Sequence, residues 1–547
     1  MPKYLFVTGG VMSGLGKGIT TSSVAKLLQL SGLEVSCLKI DPYLNYDAGT
    51  MNPVTHGEVF VTDDGGETDM DLGTYERFLN RDLTKEHNIT TGQVYKRVID
   101  NERRGRFLGK SVQIIPHITD EIKRRIRELA VDSRVDVLVV ECGGTVGDIE
   151  SLPFLEAFRQ MRIEEGQRRT LFIHVSLAPE LSVVGEMKTK PTQHSVQEMR
   201  RIGIQPDILV IRGTRALPKE AKDKIALFTS VPAESVISNP DVESIYHVPR
   251  VLEHEGVLKP ILRQLGLKSR LNMRGWNEVA DKFDGGTRNI RIAMVGKYAS
   301  LADSYVSVNQ AIIHASAVNG VTPRISWIES EEIENDESKL QMLEAFDGVV
   351  LPQGFGSRGV EGKIAAANHA RVAGIPYLGL CFGFQLASVA FARHMLGLKK
   401  ANSSEVDPET PYPVIDLLPE QKEVSDLGGT MRLGGHDVSI TKPSRAYEIY
   451  GKEKIRERHR HRFEFNQSFL GKFEAKGMHY TAFSDGGRRA EILELDGHQF
   501  YMATQYHPEY ISRPERPEPI YVAFIAACVK RAEVAERHLE RVKALAS

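Results

Sequence analysis

The stretch Y-L-F-V-T-G-G-V-M-S-G-L-G-K-G-I-T-T, residues 4–21, decides the fold of the first half of this chain. Residues 4–7 form an apolar run that suits a buried strand, a glycine cluster interrupts it, and residues 19–30 carry a helical pattern. A glycine-rich turn between a first strand and a first helix lets backbone N–H groups approach phosphate oxygens. The helix N-terminus adds partial positive charge, and Lys17 can reach the outer phosphates. The loop departs from G-x-x-x-x-G-K-[ST] twice, with Val11 at the first glycine and Gly18 at the metal-binding hydroxyl. A mere tight turn is the plainer alternative, but it leaves the lysine without a role, so the loop is read as a nucleoside triphosphate site. A loop without its own hydroxyl needs carboxylates from elsewhere to hold Mg²⁺, a hard cation that prefers oxygen. Glu141, at the end of V-L-V-V-E, and Asp71, in G-G-E-T-D-M-D-L-G, are the candidates. A helix cap or a solvated loop charge is the ordinary role for either.

Outward from this loop, apolar runs at residues 35–40, 137–140, 171–175, 208–211 and 236–237 alternate with helical patterns such as 118–129 and 152–161. That alternation implies right-handed crossovers and a largely parallel sheet covered on both faces, with ligands at the carboxyl ends of its strands. Residues 268–289 are polar and glycine-containing and read as a linker. A second alternating set follows, with strands at 290–295, 324–328, 348–351 and 377–380 and a helix near 304–317. Residues 520–546 read as one long helix. The expected fold is α/β in two domains, residues 1–267 and 290–547, each a mostly parallel sheet flanked by helices.

A chain of 547 residues holds three to four average domains or two larger ones, and 41% hydrophobic with 26% charged residues allows a sizeable core. Seventy basic against 72 acidic side chains leave a net charge of −2, which argues against binding dominated by phosphate neutralisation along a nucleic acid. The cysteines, Cys37, Cys142, Cys381 and Cys528, are scattered without a C-x-x-C pair, which excludes a disulfide framework and a zinc ribbon and fits a reducing compartment. The first ten residues turn to glycine too soon for a signal peptide. The uncharged run 372–392 has the length of a membrane span, but Gly374, Pro376, Gly379, Gly383, Gln385 and Ser388 divide it into strand, turn and helix. A cytoplasmic location is expected.

The second half carries its own chemistry. G-L-C-F-G, residues 379–383, closes a predicted strand and opens a predicted helix, the setting of a nucleophile elbow. Cys381 would then sit at a helix N-terminus, which favours the thiolate; a buried inert cysteine is the alternative. In Q-Y-H-P-E-Y, residues 505–510, His507 can take the thiol proton while Glu509 orients the imidazole. P-Q-G-F-G, residues 352–356, follows an apolar strand and can lend the Gly354 N–H to an oxyanion hole beside that of Phe382.

With both sites in one chain, the sequence closely resembles the CTP synthase family, glutamine-dependent enzymes that aminate UTP. The first half resembles a dethiobiotin-synthetase-like amidoligase domain and the second a class I glutamine amidotransferase domain. Long strings carry the resemblance, among them K-I-D-P-Y-L-N (39–45), H-G-E-V-F-V-T (56–62), G-G-T-V-G-D-I-E-S-L-P-F (143–154), K-T-K-P-T-Q-H-S-V (188–196), G-I-Q-P-D-I-L (203–209) and R-H-R-H-R-F-E (458–464). The resemblance implies ATP on Ser13, Gly14, Leu15, Gly16, Lys17, Gly18 and Ile19, with Asp71 and Val242, and Mg²⁺ on Asp71 and Glu141. It implies UTP or CTP on Ser13, Asp148, Ile149, Glu150, Lys188, Thr189, Lys190, Pro191, Thr192, Gln193 and Lys224. It implies glutamine on Gly354, Phe382, Gly383, Phe384, Gln385, Glu405 and Arg462, and the triad Cys381, His507 and Glu509. Lys39 joins Lys17 near the phosphoryl transfer. Inhibition by CTP, activation by GTP through residues 356–363, a homotetramer and, in many members, filaments are further implications.

The chain departs from the family pattern at Gln353, where glycine is usual, and at Phe382 and Phe384, where leucine and methionine are usual; these bulkier residues bear on the oxyanion turn. Gly14 replaces a common serine, which the turn accepts readily. A cobyrinate-type amidoligase would share both halves, but the string at 188–193 matches a pyrimidine-nucleotide pocket. A partition-type or cytoskeletal ATPase would place a lysine where Met12 stands and would give Cys381 nothing to do. The run R-E-R-H-R-H-R, residues 456–462, has the charge of an RNA contact but lacks interleaved stacking aromatics. The expected reaction is ATP-dependent amination of UTP through a 4-phosphorylated uracil, with ammonia from glutamine or from solution.

Overall fold

An apolar run with no polar face fits the interior of a sheet covered on both sides. In the computed structural model, which describes residues 1–52, 56–181, 186–297, 302–418 and 430–546, the first strand, β1 (Lys3–Gly9), is buried from Tyr4 onward. It pairs in parallel with β4 (Val137–Cys142) on one side and β5 (Thr170–Leu177) on the other. The sheet continues through β2 (Val35–Asp41) to β3 (Asn88–Thr90) at one edge, and through β6 (Ile208–Gly213) to β7 (Val236–Pro240) at the other. All seven strands run parallel, in the order β7-β6-β5-β1-β4-β2-β3. Phe6 stacks against Phe158 and Phe172, with ring centroids 4.4 and 5.2 Å away. The three-residue strand β3 is too short for periodicity to reveal.

This sheet belongs to a unit formed by residues 1–48 and 71–284; residues 49–70 and 285–547 form the second unit. The stretch expected to link the halves carries a short helix, Arg274–Ala280. Trp276 on that helix is buried beside Phe78 and Tyr246 and donates its indole N–H to the Tyr246 carbonyl at 3.1 Å.

The second unit is built on β8 (Asn289–Gly296), β9 (Thr322–Glu329), β10 (Gly348–Leu351), β11 (Tyr377–Leu380), β12 (Arg432–Ile440), β13 (Lys454–His461), β14 (Met478–Ser484), β15 (Arg489–Leu495) and β16 (Tyr501–Thr504). Their order is β9-β8-β10-β11-β16-β15-β14-β12-β13. The first five strands are parallel and the remaining pairings antiparallel. Helices Val360–Val372 and Phe382–Met395 contribute to one apolar core, and Val306–Val318 and Pro519–Ala546 to another.

The charged run at 456–462 lies largely on β13, and its residues from Glu457 to His461 are buried. Buried charges require partners. Arg432 and His459 both reach Glu491, at 2.8 and 2.9 Å, and Arg460 pairs with Glu67 at 2.8 Å. Residues 49–70 pack here through a small hairpin, Phe60–Val61 against Glu67–Thr68. Arg458 donates to the Val61 carbonyl at 3.0 Å, Tyr510 Oη donates to the Val59 carbonyl at 3.0 Å, and the Ser307 N–H donates to Glu58 at 2.9 Å.

Residues 372–392 divide into a helix end, β11 and the helix from Phe382. No helix among the described residues is long and apolar enough to cross a membrane. All four cysteines are buried free thiols.

Candidate active sites

The glycine-rich loop leaves β1 and enters the helix Lys17–Leu30, whose N-cap, Gly16, has φ 79°. Val11 adopts φ 77°, a conformation a β-branched residue rarely takes, at the position where the usual pattern has glycine. Ser13 and Gly14 are exposed, Leu15 is buried, and Gly16 and Ile19 are partly exposed. Lys17 donates to the Gly144 carbonyl at 2.8 Å, just beyond the carboxyl end of β4. Gly18 is buried, and a Cβ there would lie 2.1 Å from Asp71 Oδ1. The missing hydroxyl thus leaves room for a carboxylate. Asp71 starts the helix Asp71–Leu79, and its Oδ2 accepts from Lys39; Lys39 also reaches Glu141 at 3.3 Å. Tyr75 donates to the second Glu141 oxygen at 2.6 Å. The two carboxylates singled out in the sequence therefore converge on one cation, Lys39, and Asp71 lies against the glycine-rich loop at Gly18.

Val242 lies partly exposed after β7. Arg212 was not singled out from the sequence, yet its guanidinium lies 3.8 Å from where a Gly16 Cβ would be and pairs with Asp241 at 2.7 Å. Its only sequence signal is its place at the carboxyl end of β6.

Asp148 accepts from the Thr145 N–H at 2.8 Å, on the turn that Lys17 touches. Ile149 is 79% exposed and Glu150 is also exposed. Lys188 pairs with Glu186 at 2.7 Å, and the hydrogen bond from Lys188, then its charge and that of Lys224, hold the Glu186 carboxyl below its usual range. Lys190 lies over the ring of Phe228, on the same helix as Lys224, Lys219–Thr229. The three lysines thus gather around Glu186 and the helix Lys219–Thr229. Thr192 donates to the Leu177 carbonyl at 3.0 Å and Gln193 to Thr189 Oγ1 at 3.0 Å; Pro191 is in the first turn of the helix Lys190–Arg201.

In the second unit Cys381 joins β11 to the helix Phe382–Met395 with φ 51° and ψ −97°, a strained turn of the kind a nucleophile elbow requires. Its N–H donates to the Thr504 carbonyl at 2.7 Å, which ties the elbow to β16. Tight packing forces the glycine at 383, where a Cβ would meet the Leu351 carbonyl oxygen at 2.1 Å. The Cys381 thiol lies 3.7 Å from the Arg460 carbonyl, and Gln505 Nε2 donates to it at 3.6 Å.

His507 follows β16. Its Nδ1 lies 2.7 Å from Glu509 Oε1, and its ring stacks on Tyr510. Burial disfavours the imidazolium, but the charges of Glu509 and Cys381 outweigh burial and lift the ring to about 10. The proton therefore rests on His507 at neutral pH.

Cys381 opens onto two cavities. One, of about 170 Å³, is lined by Gly354, Phe382, Gln385, Glu405 and Arg462, together with Arg460. The other, of about 40 Å³, is lined by Glu58, Val59, Tyr305, Gln353, His507 and Tyr510. Gly383 and Phe384 do not line the first cavity; Phe384 is buried in the core against Tyr480. Glu405 accepts from the Gly356 N–H at 2.8 Å, and Arg462 donates to Thr430 at 3.0 Å. Arg460, Gln505, Lys297 and Lys363 surround this site and were not assigned to it from the sequence. They come from separate elements, and no local spacing joins them.

Residues 3–267 match the family model described as CTP synthase N-terminus, and residues 300–527 match that described as glutamine amidotransferase class-I. The CTP synthase of Thermococcus kodakarensis is 55% identical over 533 residues, covering 97% of this chain and 99% of that one. The CTP synthase of Pyrococcus furiosus is 55% identical over 529 residues, with 96% and 98% covered. Among solved structures, the glutaminase domain of Trypanosoma brucei CTPS with bound acivicin is 38% identical, covering 44% of this chain and 94% of that one at a TM-score of 0.42.

Proposed function

The chain belongs to the CTP synthase family, a ligase that forms CTP from UTP with ATP and glutamine, and on that premise we propose which of its residues carry the reaction. Cys381 attacks the glutamine amide carbon, and His507 holds the thiol proton and delivers it to the departing ammonia. Glu509 keeps the imidazole in one tautomer and stabilises its charge. The Gly354 and Phe382 N–H groups accept the negative charge that develops on the amide oxygen. Arg462 binds the substrate carboxylate and Glu405 its ammonium, and water then frees glutamate from the thioester. Gln385 works from the same cavity by holding Gln505, whose Oε1 accepts from it at 3.2 Å.

In the first unit the phosphate loop, residues 13–19, with Val242 binds ATP. Lys17 and Lys39 neutralise charge as the terminal phosphoryl group passes to the uracil O4. Ammonia then displaces phosphate at C4. Lys188, Lys190 and Lys224 attract the UTP triphosphate, and residues 148–150 and 189–193 complete that pocket. Asp71 and Glu141 suit Mg²⁺, because their oxygens already converge on a cation. Bound there, the ion supplies charge neutralisation on the phosphates. Among the described residues no three His, Cys, Asp or Glu side chains form a cage. Feedback inhibition by CTP, activation by GTP at residues 356–363, a homotetramer with possible filaments, and a cytoplasmic location belong to the same reading.

The observation that carries it is the strained Cys381 elbow beside a charged His507–Glu509 pair. CTP formation measured with UTP, ATP and Mg²⁺, fed by glutamine or by ammonia, tests it. Cys381→Ala is expected to abolish the glutamine-fed reaction and spare the ammonia-fed one. Loss of both, or retention of both, would refute the assignment.

A further inference from the structure

Two buried lysines flank the oxyanion donors and have no part in the steps above. Lys297 stands directly after β8, and Lys363 lies in the helix Val360–Val372. Lys363 is completely buried and donates to the Pro352 carbonyl at 2.9 Å. Lys297, 3% exposed, donates to the Phe355 carbonyl at 2.5 Å and also to the Gly356 carbonyl. The anchored carbonyls therefore bracket the Gln353–Gly354 peptide from both sides. A Cβ at Gly354 would lie 3.6 Å from Lys297 Cδ, 3.6 Å from Lys363 Nζ and 3.8 Å from the Phe382 ring. Both ammoniums also lie over that ring, 4.9 and 5.6 Å from its centroid.

We propose that Lys297 and Lys363 form a clamp on the oxyanion turn, pulling the flanking carbonyls away from the cavity so that the Gly354 N–H is aimed at the amide oxygen of glutamine. They are positioning residues, and the inference rests on the reading of Gly354 and Phe382 as oxyanion donors. It also gives a reason for one departure of this chain from its family. Phenylalanine at 382 offers both cations an aromatic face that leucine lacks, so its bulk supports the turn. An ammonium buried against carbonyls is costly compared with one in water. Burial accordingly pushes Lys363 well below its usual range and Lys297 down to about 8. Two such groups against one five-residue turn indicate a constraint stronger than packing.

The test uses the full-length protein with Lys363→Met, Lys297→Met and Lys297→Arg, assayed with glutamine and with ammonia. An oxyanion donor is typically worth ~10²–10³ in rate, so losing its aim is expected to lower the glutamine-fed kcat ~10–100-fold. The KM for glutamine should stay within about twofold in Lys363→Met, because Lys363 holds the Pro352 carbonyl and not the Gly356 segment that touches Glu405. The ammonia-fed rate is the control. Lys297→Arg should recover part of the kcat lost in Lys297→Met. Parental kcat in both methionine variants, or an effect confined to KM, would overturn the clamp. Should Lys363→Met not fold, Lys297→Met with its arginine rescue decides. Glutamine hydrolysis that survives Cys381→Ala would instead overturn the underlying reading, so the two failures are distinguishable.

Discussion

Replacing Glu509 with glutamine removes a charge and little else, which makes it the sharpest probe of the cysteine site. The carboxylate lies 2.7 Å from His507 Nδ1, and the ring is lifted from the ordinary 6.5 to about 10 although burial acts in the opposite direction. A rise of that size corresponds to about 5 kcal/mol of preference for the imidazolium. The neutral amide keeps the shape and can still accept from Nδ1–H, but burial then acts with less opposition. The His507 value is expected to fall from about 10, because only Cys381 is then left to oppose burial. In the parent the imidazolium persists until pH rises through about 10; in the variant it is lost at lower pH. Loss of the acid member of such a triad costs up to ~10⁴ in kcat, so a fall of ~10²–10⁴ in glutamine-fed CTP formation is expected at pH 7.5, with the ammonia-fed rate retained. The alkaline limb of the glutamine profile should move down by several pH units. A glutamine-fed kcat within about threefold of the parent, or an alkaline limb left in place, would refute the electrostatic reasoning.

Gly18→Ala would place a methyl group 2.1 Å from Asp71 Oδ1; both the glutamine-fed and the ammonia-fed reactions should fall more than ~10-fold while glutamine hydrolysis alone continues, as a glutaminase assay without UTP would show. Gly383→Ala drives a methyl into the Leu351 carbonyl, and overpacking of this kind costs about 1–3 kcal/mol, read as a fall of several degrees in melting temperature. Glu491 is held well below its ordinary 4.5: burial alone would raise it, but His459, Arg432 and Ser484 more than offset that. Its contribution to stability is therefore full above about pH 4.5 and fades as pH falls. Glu491→Gln leaves the buried Arg432 without its counter-charge and should destabilise by about 3–5 kcal/mol at pH 7, with the loss shrinking on acidification in denaturant titrations.

The parallel strands were legible because each is a short, nearly uninterrupted apolar run between turn residues, as at Tyr4 to Val7 and Val137 to Val140. The turn at Cys381 and the glycine-rich turn between β1 and the helix Lys17–Leu30 were legible because contiguous residues build them. The antiparallel strands were not, because charge hides the pattern of β13: Arg458, His459 and Arg460 look like a solvated basic run until Val61, Glu491 and Glu67 are seen beside them. The short helix around Trp276 was hidden in the same way by its polar flanks.

Local order in the chain determined the α/β class, the glycine-rich turn that leads into Lys17 and the strained turn at Cys381, since each depends on residues within one turn or one strand. Tertiary structure alone decided what surrounds them. Residues 49–70 supply Glu58 and Val59 to the wall beside Cys381, Asp71 fills the space left by Gly18, and two lysines from separate elements meet on Gly354. Such meetings arise from packing between separate elements, where burial and charge pairing set the outcome and local sequence spacing carries no signal.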